Sequence, residues 1–446
     1  MAKFERPRGT RDFKPSDVAE RRWLEGVFRE TFRRWGYREI QTPTFESTDL
    51  FRAKSGPNVV KEIYTFLDKG GREICLRPEL TAPVMRFYVN ELTHEPKPLR
   101  LYYYGPCFRY EEPQEGRFRE FWQFGLELVG PEGPNADAEV IAIAHDALRA
   151  TGLRGFTTHV GHIGLLRALI NELDEHGLDA GKKGDVFRKI DKDADDLEEF
   201  LLSEGAPAAL ARAIVATAGH RRVLKLADEA SIEAYVKEIR HAIGDVVWGK
   251  HGQAMDTVVN DFRQTLLLLA AHGVPEVEAD LGVARGLDYY TGTVFEFHAT
   301  KLGAQSQIGG GGAYTLAELF GGEHVGSAGF GLGFDRILLA LRNEGAVPAV
   351  APAADVFVAV LGNARPQALA LARQLREAGV STDVEVMGRG LGKALQHAGK
   401  TGAKLVVIAG EKDLAEGRVT VRDMASGEQS AVALADAVGA VRAKLG

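Results

Sequence analysis

Cysteine is scarce in this chain of 446 residues: only Cys75 and Cys107 occur, too few for a disulfide framework or a cysteine-ligated zinc site. A reducing, cytoplasmic setting is expected. The opening stretch MAKFERPRGTRDF lacks the apolar core of a secretory signal, and the longest apolar run, LLLLAA after Thr265, is far too short to span a bilayer. Excess positive charge is missing too. The formal net charge of −7 argues against a protein that coats nucleic acid indiscriminately, because counterion release needs many cations on one face. The deficit is uneven: residues 355–445 carry twelve Lys/Arg against ten Asp/Glu, so that segment is +2 and the remainder −9. Any polyanion contact is expected at the C-terminal end or in a local groove.

What is present suits a folded chain of more than one domain, at 45% hydrophobic and 26% charged residues. Helical spacing over 17–35 leads into an extended segment around Pro43. From 64 to 129 the pattern reads as aromatic-rich strands (IYTFLD, EICLRPELT, LRLYYYGPCFRY, REFWQFGLELVG), which predicts an antiparallel sheet. An amphipathic helix over 136–149 and a strand, FTTHVGH, follow. Residues 165–272 turn to Ala, Leu, Glu, Asp and Lys at helical spacing, with almost no strand signal, and predict an inserted helical module. Strand patterns return at 283–298 and run on to a strand-then-helix unit, HVGSAGFGLGFDRILLALRNEG. AVPAVAPAAD reads as a linker, and the order βαβαββα beyond it predicts a small, largely parallel α/β domain. The expected division is one interrupted domain (1–164 and 273–345), the insertion (165–272), a linker (346–354) and a second domain (355–446).

One stretch, IGGGGAYTLAELFGG at 308–322, holds six glycines in fifteen residues. It meets neither the Gly-Lys-Ser/Thr ending of a phosphate loop nor the Gly-x-Gly-x-x-Gly dinucleotide fingerprint. A ligand-contacting floor and a structural bulge both fit its letters. In FRYEEPQEGRFREFWQFGLELVG two strands flank a charged loop. Period two puts Phe121, Gln123, Gly125 and Glu127 on one face and Trp122, Phe124, Leu126 and Leu128 on the other. The first face suits a lined cavity or a solvated edge strand. Arg109, Arg117 and Arg119 favour the cavity, since guanidinium forks bind phosphate or carboxylate bidentately.

In LRPELTAPVMR, Glu79 and Thr81 share a face if the run is extended, a pairing able to hold an ammonium group; a strand end with a helix cap at Thr81 explains the same letters. RGLDYYTGTVFEF sets Tyr289 and Tyr290 ahead of a strand, where flat rings with polar tips suit an imidazole but are also ordinary sheet residues. In GSAGFGLGFDRILLAL, Arg336 falls in the first turn of a helix, where its charge adds to the positive end of the helix dipole and favours phosphate.

In this order, GTRDF, Pro43, RPELTAP, FRYEEPQEGRFREFWQFGLELVG, RGLDYYTG, GFGLGFDR and the C-terminal KALQHAGKTGAKLVVIAGEKDLAEGRVTVRDMASGEQ resemble the histidyl-tRNA synthetase family of class II aminoacyl-tRNA synthetases. The likeness spans nearly the whole chain apart from the helical insertion. It implies an α+β fold: an antiparallel sheet flanked by helices, a helical insertion and a C-terminal α/β anticodon-binding domain. It also implies ligation of L-histidine to tRNA(His) through a histidyl-adenylate, with ATP arriving with Mg2+, no protein-bound metal, no membrane contact, and a homodimer joined around Pro43. By matching position, Arg285 is the expected catalytic arginine on the α-phosphate. Arg109 is expected at the α-phosphate and the histidine carboxylate, Arg336 at the γ-phosphate, and Arg117 completes the ATP-binding set.

Glu79 and Thr81 are expected on the α-amino group with Gln123 alongside, Glu127 and Tyr290 on the imidazole, and Tyr289 and Tyr314 close by. Glu112 and Gln114 belong to the loop expected to meet the tRNA acceptor end. Glu112 stands where the family usually has arginine, and Ala313 and Thr315 stand where it usually has Arg and Asp. Two other readings share the fold. The histidine-sensing regulatory subunit of ATP phosphoribosyltransferase lacks the C-terminal domain and commonly loses the arginines kept here, and a non-catalytic RNA-binding paralogue is supported only by the three departures.

Overall fold

Pro15 opens the helix Pro15–Arg34, where its missing N–H is no loss, and Leu24, Phe28 and Phe32 recur every four residues along its fully buried face. Phe28 and Phe32 pack edge-on against Phe124, fixing this helix to the middle of a large sheet. The coordinates, a computed structural model, describe residues 4–55, 57–178, 180–191, 195–283, 289–303, 305–349 and 352–446. They fall into two units, 1–348 and 349–446.

The strands of the first unit are β1 (Arg38–Glu39), β2 (Phe45–Ser47), β3 (Thr65–Leu67), β4 (Glu73–Leu76), β5 (Leu99–Phe108) and β6 (Glu120–Gly130). After them come β7 (Phe156–His162), β8 (Arg221–Lys225), β9 (Glu276–Asp280), β10 (Tyr290–Ala299), β11 (Gln307–Tyr314) and β12 (Gly326–Gly333). Nine make one sheet in the order β1-β5-β6-β12-β11-β10-β7-β9-β8, while β2, β4 and β3 form a small sheet of their own. Only β1–β5 and β7–β9 pair in parallel, so the sheet is mainly antiparallel, as the sequence leads one to expect. The helices Pro15–Arg34, Pro134–Ala150 and Ile163–Asn171 share one buried cluster with it.

The glycines of β11 sit mid-sheet, between β10 and β12. None of Gly309–Gly312 uses a positive φ; what they permit is close approach. A Cβ on Gly310 would lie 2.7 Å from Phe295 O and one on Gly312 2.5 Å from Thr293 O, while at Gly311 it would run into Gly329 O.

Of the two readings open for LRPELTAPVMR, the helix beginning at Thr81 holds: Thr81–Phe87 is helical and continues into a wider turn, Tyr88–Leu92, with Val84, Met85 and Tyr88 buried at helical spacing. Two local expectations need correction. The segment 165–272 is not all helical. It contributes β8, which pairs with β9 and becomes the sheet's outer strand; RRVLK is short and charged because only one of its faces is covered, with Leu224 buried and Val223 exposed. Strand structure also resumes before residue 283, at β9.

The second unit has β13 (Val356–Leu361), β14 (Thr382–Val384), β15 (Leu405–Gly410), β16 (Arg418–Asp423) and β17 (Gln429–Ala433), in the order β14-β13-β15-β16-β17. Helices Arg365–Glu377, Leu391–Thr401 and Ala437–Leu445 stand where the expected βαβαββα order has them, but the unit adds a short helix, Glu411–Ala415, and a fifth strand, β17, that the sequence reading did not include. The sheet is mixed rather than largely parallel: β13 pairs in parallel with β14 and β15, but β16 and β17 join by hairpins too short for a parallel crossover.

Candidate active site

A cavity of about 680 Å³ lies over β5, β6, β10, β11 and β12. Glu79, Thr81, Arg109, Arg117, Gln123, Tyr289, Tyr290, Tyr314 and Arg336, all named from sequence, line it together. Gly309, Gly310 and Gly311 are part of its wall, so the glycine stretch is both a close-packed strand and a cavity floor.

Behind the lining phenols of Tyr103 and Tyr314 sits Glu127, fully buried on β6 and not itself part of the cavity wall. β6 is central, between β5 and β12, which rules out a solvated edge. Tyr103 Oη donates to Glu127 Oε1 at 2.9 Å, and Tyr314 Oη donates to Glu127 Oε2 through a shorter hydrogen bond. Burial pushes the Glu127 carboxyl up to about 8, with the two phenols pulling partly the other way. Burial likewise holds the Tyr103, Tyr290 and Tyr314 phenols well above their ordinary value. The Tyr289 and Tyr290 rings lie tilted to one another with centroids 4.3 Å apart, and Tyr289 meets Tyr314 edge-on at 6.1 Å.

Glu79 caps the helix that Thr81 begins. It accepts from Thr81 N at 2.6 Å and Ala82 N at 3.1 Å, so the capping the sequence allowed at Thr81 belongs to Glu79. Thr81 Oγ1 is 3.4 Å from Tyr103 Oη. Gln123 Oε1 accepts from Cys107 Sγ at 3.3 Å.

The arginines form a cationic side. Arg109 Nε donates to Pro78 O at 3.0 Å, its guanidinium lies 5.1 Å over the Phe121 ring, and Glu111 is 3.8 Å away. Arg336 Nε donates to Gln307 O at 2.7 Å, and Nη2 donates to Gln305 O. Burial, then the neighbouring charge of Arg117, lowers the Arg336 pKa. Asp335 holds the start of this helix: it accepts from Arg21 Nη1 at 2.5 Å and from Trp122 N at 2.9 Å. Arg285 lies outside the described residues.

Glu112 and Gln114 are not in the cavity. Glu112 pairs with Arg8 at 2.7 Å in an exposed loop, and Gln114 Oε1 accepts from Gln305 Nε2 at 2.8 Å. Ala313 stands in register with Ala328 on β12. Outside the cavity, His159, Glu278 and Asp280 place ligand atoms within 4.8 Å of one another, but Arg221 Nε lies 3.1 Å from Asp280 and competes for its carboxylate.

Among the lining residues not singled out from sequence, Tyr103 and Lys54 carry polar groups next to Glu127 and Glu79. Tyr103 had a signal in the period-two register Leu101, Tyr103, Gly105, Cys107, obscured by the run of three tyrosines. Lys54 had none, because its place depends on how the helix Thr48–Ser55 packs across the cavity.

A mainly antiparallel sheet carrying a cavity lined by arginines and carboxylates, together with a separate α/β unit in the same chain, is the architecture that the class II aminoacyl-tRNA synthetase resemblance implies. A family model described as "Histidyl-tRNA synthetase" matches residues 9–337, and an "Anticodon binding domain" model matches 355–444. The Histidine--tRNA ligase of Methanosarcina acetivorans is 45% identical over 97% of this chain and 97% of its own length; that of Methanoculleus marisnigri is 42% identical over 98% of each. The crystal structure of apo S. aureus histidyl-tRNA synthetase superposes with a TM-score of 0.70 at 28% identity, covering 98% of this chain and all of that one. The chain belongs to the histidyl-tRNA synthetase family. No helix of the described residues is long and apolar enough to cross a membrane.

Proposed function

We propose that this chain joins L-histidine to the 3′ end of tRNA(His), using ATP brought as its magnesium complex. In the first step a carboxylate oxygen of histidine bonds to the α-phosphorus of ATP. The bond to the bridging oxygen breaks and pyrophosphate leaves. In the second step the 3′-terminal ribose hydroxyl attacks the carbonyl carbon of the adenylate, AMP departs, and the hydroxyl proton is lost.

The observation that carries this reading is the division of one cavity into a carboxylate and tyrosine part, around Glu79, Tyr103 and Tyr314 with Glu127 hydrogen-bonded behind the two phenols, and an arginine part, around Arg109, Arg117 and Arg336. The first suits an ammonium and an imidazole, the second a polyphosphate. Histidine takes its α-amino group to Glu79 and Thr81, with Gln123 beside them, and its imidazole to Glu127 and Tyr290, near Tyr289 and Tyr314. A buried carboxylate that must be partnered discriminates strongly against apolar side chains of similar size. Arg109 and Arg285 serve the α-phosphate, where charge builds as pyrophosphate leaves, and Arg336 serves the γ-phosphate. Arg336 has to exchange a backbone carbonyl for phosphate to do so.

The exposed loop of Glu112 and Gln114 meets the acceptor end of the tRNA, and residues 355–446 read its anticodon. Glu112, held by Arg8, puts a carboxylate beside RNA phosphate, which redirects rather than strengthens that contact. Phe45, Phe66 and Leu67, exposed on the small three-stranded sheet, are where we place the homodimer contact. The setting is cytoplasmic. The test is transfer of labelled histidine into acid-precipitable tRNA. Charging of tRNA(His) is expected; histidine binding without charging would instead favour a histidine sensor.

A further inference from the structure

Lys54 is a buried lysine whose ammonium already has the partners expected of a substrate ammonium. Its Nζ lies 3.3 Å from Glu79 Oε1 and 4.3 Å from the centroid of the Tyr289 ring. The lysine side chain is 6% exposed and that of Glu79 17%, so the pair meets within the cavity wall rather than in open solvent. A carboxylate beside an aromatic face is a general receptor for an ammonium ion.

Glu79 has little capacity to spare. A carboxylate offers about four lone-pair sites. Those of Glu79 already serve the Thr81 and Ala82 amides and the Lys54 ammonium. A second ammonium at the same oxygens would stand beside the first with little water between them, where like charges repel strongly.

We propose that Lys54 occupies the ammonium position on Glu79 in the unliganded chain, acting as an internal competitor that histidine must displace, and that it thereby sets the affinity for the amino acid. This rests on the histidine-binding role assigned above to Glu79. Lys54 hangs from the helix Thr48–Ser55, which also carries Phe51 in the cavity wall, so displacing the lysine couples occupancy of the amino-acid site to that helix. Its part is to set affinity; it takes no part in the bond changes.

The test measures histidine-dependent exchange of pyrophosphate into ATP by the full chain, its Lys54→Met variant, which keeps an unbranched apolar stem without the charge, and its Lys54→Arg variant, which keeps the charge. Two inhibitors separate the groups: histidinol retains the ammonium, and imidazolepropionate lacks it. In Lys54→Met the KM for histidine and the Ki of histidinol should each fall about tenfold, because a competing cation has been removed. The Ki of imidazolepropionate should change by less than about twofold, and Lys54→Arg should stay near the unmodified protein. An unchanged or raised KM for histidine in Lys54→Met, or a parallel shift of all three ligands, would overturn the proposal. Absence of exchange in the unmodified chain would instead remove the synthetase reading beneath it. A folding defect in Lys54→Met would lower the concentration of active sites and leave KM where it was, so it cannot imitate the expected result.

Discussion

Tyr314 and Glu127, 187 positions apart in the chain, are joined by a buried hydrogen bond at the base of the cavity, and Tyr103 closes the other carboxylate oxygen from β5. Both tyrosines line the cavity above the carboxylate. Glu127→Gln keeps the shape but turns one acceptor into a donor facing two phenols. The KM for histidine should rise about a hundredfold with kcat within a few-fold, since a mismatched buried polar group penalises the bound imidazole and leaves the phosphate chemistry alone. Pyrophosphate exchange at varied histidine concentration measures it, and an equal loss in kcat would place Glu127 in the chemical step instead.

The same carboxyl makes stability depend on pH. Its ordinary value is 4.5 and burial raises it to about 8, so between these values the folded chain holds a proton that the unfolded chain has lost. Stability from this group is therefore fully present below 4.5 and declines as pH climbs through about 8. The slope is at most about 1.4 kcal/mol per pH unit. Asp137, raised to about 7 by burial, adds a decline of the same sign. Urea midpoints from pH 5 to pH 8.5 should fall less steeply in Glu127→Gln than in the unmodified protein, and identical slopes would show that Glu127 stays ionised.

Arg336, the proposed γ-phosphate ligand, is tied to the carbonyls of Gln305 and Gln307 and so braces the segment entering β11. Arg336→Ala should lower kcat/KM for ATP by about a hundredfold, the usual order for losing one preorganised cation from a phosphoryl-transfer site. Calorimetric binding of histidine alone should change little. If histidine affinity falls as far as ATP use does, the arginine acts chiefly as a brace.

Gly311→Ala would press a methyl against Gly329 O across the central strands. Overpacking there should cost about 2 kcal/mol or more, because a paired backbone cannot yield as a side chain can. Chemical denaturation reports it; a variant as stable as the original would mean that β11 and β12 are spaced more widely than the structure has them.

Much of this was legible in the sequence because local pattern and global fold agree. The face Phe121, Gln123, Gly125, Glu127 could be drawn from period two alone, and Arg336 fell in the first turn of its helix as spacing implied. What stayed hidden depended on tertiary placement. TAPVMRF follows a run of strands and holds a proline, so its letters left an extended run and a helix cap at Thr81 undecided, and Glu79 capping the helix settles it. RRVLK is too charged to read as a strand without the partner β9 that completes it. The glycines of 308–322 left floor and bulge undecided, since the letters do not say which backbone comes close; the answer is Phe295, Gly329 and Thr293.

The most direct measurement is exchange of labelled pyrophosphate into ATP by the purified full-length chain, with histidine as the only amino acid and then with histidinol or phenylalanine in its place. The proposed two-part cavity predicts label in ATP with histidine and none with the other two, because only histidine offers both an imidazole for Glu127 and a carboxylate for the α-phosphorus. No histidine-dependent label, or equal label with phenylalanine, would contradict it.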